Sequence, residues 1–260
     1  MYTGIVNISD AWVAIVTASS KESSPDIVAI PGGLRGDAIT TRYWDCCVVS
    51  CSWDANVHTK NRQPVKSCQK NGATYSTREN NGNSVCYPDH PGNAYVCNNN
   101  SPFVVNSTLA YGFAGVSFQG GADVEHCCHC YLLSFKGKLQ GKQMLVQTIN
   151  TGADAVAHHF DLQIPGGGVG YHTQGCRIQW NAPENGWGDR YGGVHSEQEC
   201  NQLPWQLQAG CKFRFQFMQG VSNPDVSFQE VKCPSQLVSI TSCGDLLNNN
   251  CVFDFFVGIY

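Results

Sequence analysis

Thr40-Thr41-Arg42-Tyr43-Trp44-Asp45-Cys46-Cys47 sets a carboxylate between bulky aromatics and a pair of adjacent cysteines. With its neighbours anchored by disulfides, such an acid is held in one place, as a general base that positions a water must be. The same residues equally describe a buried aspartate that accepts backbone hydrogen bonds in a turn. Cys46 and Cys47 also open the stretch over which cysteines recur, running to Cys243 and marking one stapled unit. Upstream, residues 1–39 hold no cysteine and end in Pro-Gly-Gly-Leu-Arg-Gly-Asp at 31–37, which reads as a linker or leader. Within it, Ala-Trp-Val-Ala-Ile-Val-Thr-Ala at 11–18 fits a signal-peptide core lacking its basic residue, a buried strand or an extension. Residues 246–260 turn apolar after Asn-Asn-Asn, as a docked strand or a sticky tail would. The expected organisation is therefore leader 1–39, a catalytic unit 40–245 and tail 246–260.

Composition narrows the class. Charged residues make up only 14% while glycine numbers 27, a balance that favours a loop-rich β protein over a helical bundle. A formal net charge of −4, without blocks of like charge, offers no field for nucleic acid. No apolar run reaches the ~18–20 residues that span a bilayer, so no membrane partner is expected. Fifteen cysteines point to an oxidising compartment, hence secretion, and to a disulfide framework. The odd count leaves one thiol over, for which Cys251 in the unlike tail is the candidate. His126-Cys127-Cys128-His129-Cys130 resembles a metal cluster but lacks a second knuckle, and adjacent cysteines do not readily share one tetrahedral ion. Disulfides are therefore expected there, with no metal and no cofactor. Met144–Ile149, Lys212–Phe217 and Val226–Val231 read as strands, the last two by alternation. A short helix is expected from Ser196, and a loop over 71–101 pinned by Cys86 and Cys97. The fold class is mostly β, a barrel with a few short helices in its connections.

A second segment carries chemistry: His158-His159-Phe160-Asp161-Leu162-Gln163-Ile164-Pro165-Gly166-Gly167-Gly168-Val169-Gly170. Asp161 ends an alternating strand, and the glycines after it would let backbone approach a ligand closely. They form no phosphate loop, since the Lys-Ser/Thr of that motif is missing. Asp154 adds a third carboxylate in a stretch of small residues, where a solvated loop aspartate is the plainer reading. Two carboxylates without a metal motif fit glycoside hydrolysis, one protonating the leaving oxygen and the other activating water or attacking carbon. A serine nucleophile lacks its Gly-x-Ser-x-Gly elbow, and the cysteines are committed to bridges.

Taken together, the two segments resemble the signature pair of the family 45 glycoside hydrolases, small inverting endoglucanases. Cys51-Ser-Trp53, Gln63–Cys68, Tyr111–Ala114, Cys127–Cys130, Arg190–Gly193, Asn223-Pro224 and Lys232–Val238 occur in the family's order, so the likeness spans Thr40 to Cys243. It implies a six-stranded double-psi β-barrel, an internal β-1,4-glucan bond as target, and a monomer. It assigns Asp45 as the base and Asp161 as the acid, ~6.5–9.5 Å apart so that a water fits between. Asp161 would then carry a raised pKa, and Asp154 would support it from a mobile loop. Tyr43 and Trp53 would face glucose rings, although core packing is the commoner fate of aromatics. Arg42, His159, Tyr191 and Asn223 would bond sugar hydroxyls, with a structural role for His159 nearly as fitting. The resemblance also implies the bridges Cys46–Cys176, Cys47–Cys86, Cys51–Cys127, Cys68–Cys97, Cys128–Cys243, Cys130–Cys233 and Cys200–Cys211. Two departures bear on subsites: Val48-Val49 stands where many relatives have Lys-Pro, and Tyr171–Cys176 is longer than the common fungal form. A non-hydrolytic, expansin-like wall-loosening protein would share the barrel and His-Phe-Asp but lack the counterpart of Asp45. No separate carbohydrate-binding module is visible, so soluble or amorphous glucan is expected over crystalline cellulose. Asn106-Ser107-Thr108 is an N-glycosylation acceptor in a eukaryotic secretory route.

Overall fold

The computed structural model describes residues 25–77, 84–87, 89, 91–152 and 156–244. Asp154, the apolar run 11–18, Cys251 and the tail 246–260 lie outside them. Seven strands form one sheet: β1 (Arg35–Tyr43), β2 (Phe103–Val104), β3 (Leu109–Ser117), β4 (Cys130–Phe135), β5 (Gln143–Thr151), β6 (His159–Gln163) and β7 (Val226–Val231). Their order is β2-β3-β5-β4-β7-β1-β6, and β6 pairs back onto β3, so six strands close into a barrel with β2 as an outlier. Closure leaves those six without a free edge, which an open sheet must otherwise protect. The β1–β6 and β3–β5 pairs are parallel and the others antiparallel. Among the described residues there are three short α-helices: α1 (Gln174–Trp180) and α2 (Trp205–Gln216) lie between β6 and β7, and α3 (Ser235–Thr241) follows β7.

Period-two alternation fills the barrel. On β6, Phe160 and Leu162 are fully buried while His159 and Asp161 on the opposite face are only partly so. Phe160 meets Phe118, Tyr131 and Phe228 at ring-centroid distances of 5.3–5.6 Å, mostly edge to face, the arrangement aromatic quadrupoles favour. β7 runs over the residues expected, and β5 contains Met144–Ile149.

Two expectations are overturned. Lys212–Phe217 is not a strand: it lies on α2 and the residue just after it. Its aromatic alternation also places Phe213 and Phe217 four residues apart, where their rings stack at 5.2 Å. Cys211, bridged to Cys200, packs with Leu207 in a different cluster from the two phenylalanines, so the helix is held on more than one side. The leader does not extend to residue 39 either, because β1 begins at Arg35. Ahead of it, Lys232 donates to the Val28 carbonyl at 2.8 Å, Ile30 to Glu230 at 3.0 Å and Glu230 to Leu34 at 2.7 Å. Pro31-Gly32 is a tight turn rather than a linker: Gly33 donates to the Ile30 carbonyl at 3.0 Å and Gly32 takes φ +74°. All seven implied disulfides are present.

Candidate active site

Parallel pairing of β1 with β6 builds the site. The register sets Ile39 opposite His159, Thr41 opposite Asp161 and Tyr43 opposite Gln163. These residues share one face because strand side chains alternate, and Asp45 comes two residues after Tyr43, just beyond the strand. Thr41 Oγ1 donates to Asp161 Oδ1 at 2.6 Å and also lies 2.6 Å from His159 Nε2. A hydroxyl has one proton, so donating to Asp161 leaves His159 as donor to Thr41.

Tyr43 connects the two aspartates. Its hydroxyl donates to Gln163 Oε1 at 3.1 Å and accepts from Asn150 Nδ2 at 2.9 Å. Burial, then the Asp45 and Asp161 carboxylates, push its ionisation well above the ordinary tyrosine range. One hydroxyl thus senses both acids. Asn150 also accepts from the Ser50 amide at 2.8 Å, which ties in the turn leading to half-buried Trp53.

Asp45 is held by the two cysteines directly after it. Its Oδ1 accepts from the Cys47 amide at 3.0 Å, and Cys46 and Cys47 are bridged, to Cys176 and Cys86. Cys46 takes φ +66°, a left-handed turn that carries the chain away after Asp45. The turn reading of Asp45 therefore holds: it caps a turn and is fixed by bridges. Burial raises its pKa, opposed by the Cys47 amide and the His172 charge.

The glycine run serves protein packing rather than a ligand. A side chain on Gly167 would press on the Ile164 carbonyl at 2.8 Å and the Tyr43 amide at 3.0 Å; one on Gly168 would meet the Arg190 carbonyl at 2.7 Å. The Trp44 amide donates to the Gly168 carbonyl at 2.7 Å, so this close approach seats the chain just before Asp45.

Arg42 collects several of the expected binding residues. Its guanidinium donates to Ser222 Oγ and Asn223 Oδ1, both at 2.7 Å, and to the Gly192 carbonyl at 2.6 Å. Burial and Arg214 lower its pKa to about 10, against the pull of Asp161. Tyr191 is 70% exposed, with Arg190 5.3 Å from its ring centre. Val48 and Val49 are buried, so that departure places no polar side chain in a groove. Sulfurs of Cys47 and Cys86 lie within 4.8 Å of a His172 nitrogen, but they are joined to each other and offer no thiolate for a metal.

Residues 37–244 match the model of glycosyl hydrolase family 45. The chain belongs to that family. This makes it a glycoside hydrolase, and the match takes in Asp45, Asp161 and all the bridged cysteines. An endoglucanase of Phaedon cochleariae is 48% identical over 86% of this chain and 91% of its own length. One from Cryptopygus antarcticus is 46% identical over 84% and 93% respectively. The crystal structure of a cellulase from that springtail superposes with a TM-score of 0.74 at 44% identity, covering 81% of this chain and 98% of its own.

Reading the sequence by family motif singled out Asp45, Asp161, Arg42 and Asn223 and did not single out Thr41, Asn150, Gln163 and His172, which the structure sets beside Asp161, Tyr43 or the Cys47–Cys86 bridge. For Thr41 the signal was its position opposite Asp161, visible only once β1 and β6 are known to pair in parallel. His172 stood in the longer stretch that departs from the fungal form.

Proposed function

We propose that the chain is a secreted endo-acting β-1,4-glucanase that hydrolyses internal glucosidic bonds with inversion. Asp45 removes a proton from water as that water attacks the anomeric carbon. Asp161 delivers a proton to the departing glycosidic oxygen. The observation that carries this reading is Thr41 opposite Asp161 on the paired strands, with Asp45 two residues beyond Tyr43 and both carboxylates acting on the Tyr43 hydroxyl. Thr41 donates to Oδ1 of Asp161, a bond that orients the carboxyl. Asp154 would add negative charge near that acid and keep it protonated until the bond breaks.

Arg42 and Asn223 brace each other, and the neighbouring loop presents the exposed Tyr191 ring. These residues, with Tyr43, Trp53 and His159, form the sugar-binding surface in this reading. Glucose rings present apolar C–H faces to aromatics and hydroxyls to polar groups. Seven buried or partly buried bridges support an oxidising, extracellular location.

The test is release of reducing ends from carboxymethylcellulose by wild type, Asp45→Asn and Asp161→Asn, each shown by mass to retain its bridges. Loss of about 100-fold or more in both variants is expected, the range of general acid–base contributions. No release by folded wild type would favour the expansin-like alternative and leave Asp45 as a turn-capping residue.

A further inference from the structure

We propose that His172 is a positioning residue for Asp45: set against the Cys47–Cys86 bridge, its imidazole keeps the carboxylate in the form that accepts a proton from water. The inference rests on Asp45 acting as the base and goes beyond it by naming what keeps that base available.

The segment bearing His172 is clamped at both ends. On one side the Gly170 amide donates to the Arg190 carbonyl at 2.9 Å, and Arg190 Nε returns a bond to the Gly170 carbonyl at 2.8 Å. On the other, Gln174 Nε2 donates to the Cys86 carbonyl at 2.8 Å and Cys176 is bridged to Cys46. Gly175 abuts the Asp45 carbonyl and the Cys86 sulfur so closely that a side chain there would collide with both. Between the clamps, a His172 nitrogen lies within 4.8 Å of the Cys47 and Cys86 sulfurs. The Cys47 amide is the group bonded to Asp45 Oδ1. Ring and carboxylate are thus both next to Cys47, the ring by its sulfur and the carboxylate through its amide.

Among the described residues, few charges act on Asp45. Tyr43 faces Asp45 from β1 as a neutral phenol, with Asp161 beyond it acting on the same hydroxyl. From the segment before α1, His172 is the cation acting on Asp45. The bridge sulfurs are uncharged, and Arg190 is turned toward Tyr171 and Tyr191. Burial drives Asp45 toward its protonated, inactive form, and a cation beside it opposes that.

Removing the cation moves Asp45 protonation to higher pH, so the acid limb of kcat/KM moves the same way and activity above neutrality is spared. His172→Gln should show a several-fold loss confined to the acid side, whereas His172→Lys, which retains a cation, should stay near wild type. The Asp45 carboxyl titration, followed by carbon NMR and assigned with Asp45→Asn, gives a readout independent of turnover. An upward shift in His172→Gln, absent in His172→Lys, is expected. An unchanged titration in His172→Gln, or the same shift in both variants, would overturn the proposal. Full activity in Asp45→Asn would instead defeat the assignment of the base, and the titration would still report on His172.

Discussion

Two large hydrophobic clusters and one small one share the described interior, and the chemistry of the large two differs. One fills the barrel with Phe118, Tyr131, Leu133, Phe160, Phe228 and their neighbours and contains no cysteine. The other, under the loops, includes Trp44, Val49, Trp187 and Leu207 and is laced with bridged cysteines, among them Cys46, Cys51, Cys127 and Cys176. In the first, continuous backbone ladders fix the chain and apolar side chains need only fit. In the second, residues 44–77 carry only two short 3-10 turns and isolated bridges, so covalent links stand where ladders do not. The two aspartates divide between them: Asp161 is flanked by Phe160 and Leu162 of the first cluster, Asp45 by Trp44 and Cys46 of the second. Asp161 is therefore placed by a sheet and Asp45 by staples.

That division can be broken from either side. Phe228→Ala empties the centre of the aromatic cluster and should cost about 3–5 kcal/mol of stability. Denaturant unfolding with bridges intact measures this, and kcat in the folded protein should change little. The double substitution Cys46→Ser with Cys176→Ser should cost about 2–4 kcal/mol, yet reduce kcat strongly because it frees Asp45 and α1. Equal effects of the two changes on kcat would dissolve the distinction. Thr41→Val leaves both clusters in place and removes the hydroxyl on Asp161; a loss of about tenfold or more in kcat/KM is expected, the size of one hydrogen bond to a charged group.

The subtlest contrast concerns stability against pH. Burial raises the Asp45 pKa in the folded chain, so the native state binds its proton more tightly than the unfolded one. Such a group leaves stability intact below the unfolded pKa and lowers it as pH rises through the folded value. Asp45→Asn should therefore unfold at a higher temperature than wild type at neutral pH, with the gap closing in acid. A melting series across that range checks the direction.

How much of this could be read from the chain varies with the kind of interaction. The disulfide partners came from the family resemblance, and β7 from local alternation, because both signals are carried by residue type at fixed spacing. Lys212–Phe217 misled because alternating aromatics satisfy a strand and also stack four apart on a helix; the Cys200–Cys211 link and packing beneath decide between them. Pro31-Gly32 marked a turn, but whether the chain beyond it returned to the sheet depended on Glu230, some 200 residues away. The glycine run at 166–168 announced close approach without revealing that Tyr43, Arg190 and Gly192, not a ligand, are what approach. Thr41 and Asn150 were silent for the same reason, since their significance lies in cross-strand register that no local pattern encodes.

In the proposed mechanism water attacks from the Asp45 side while Asp161 protonates the opposite departure, and stereochemistry reports on this directly. Proton NMR of the first products released from a soluble β-1,4-glucan oligosaccharide, recorded before mutarotation, distinguishes the outcomes. The mechanism predicts the α-anomer at the new reducing end. Initial release of the β-anomer would mean retention through a covalent intermediate, and would contradict the roles given to both aspartates.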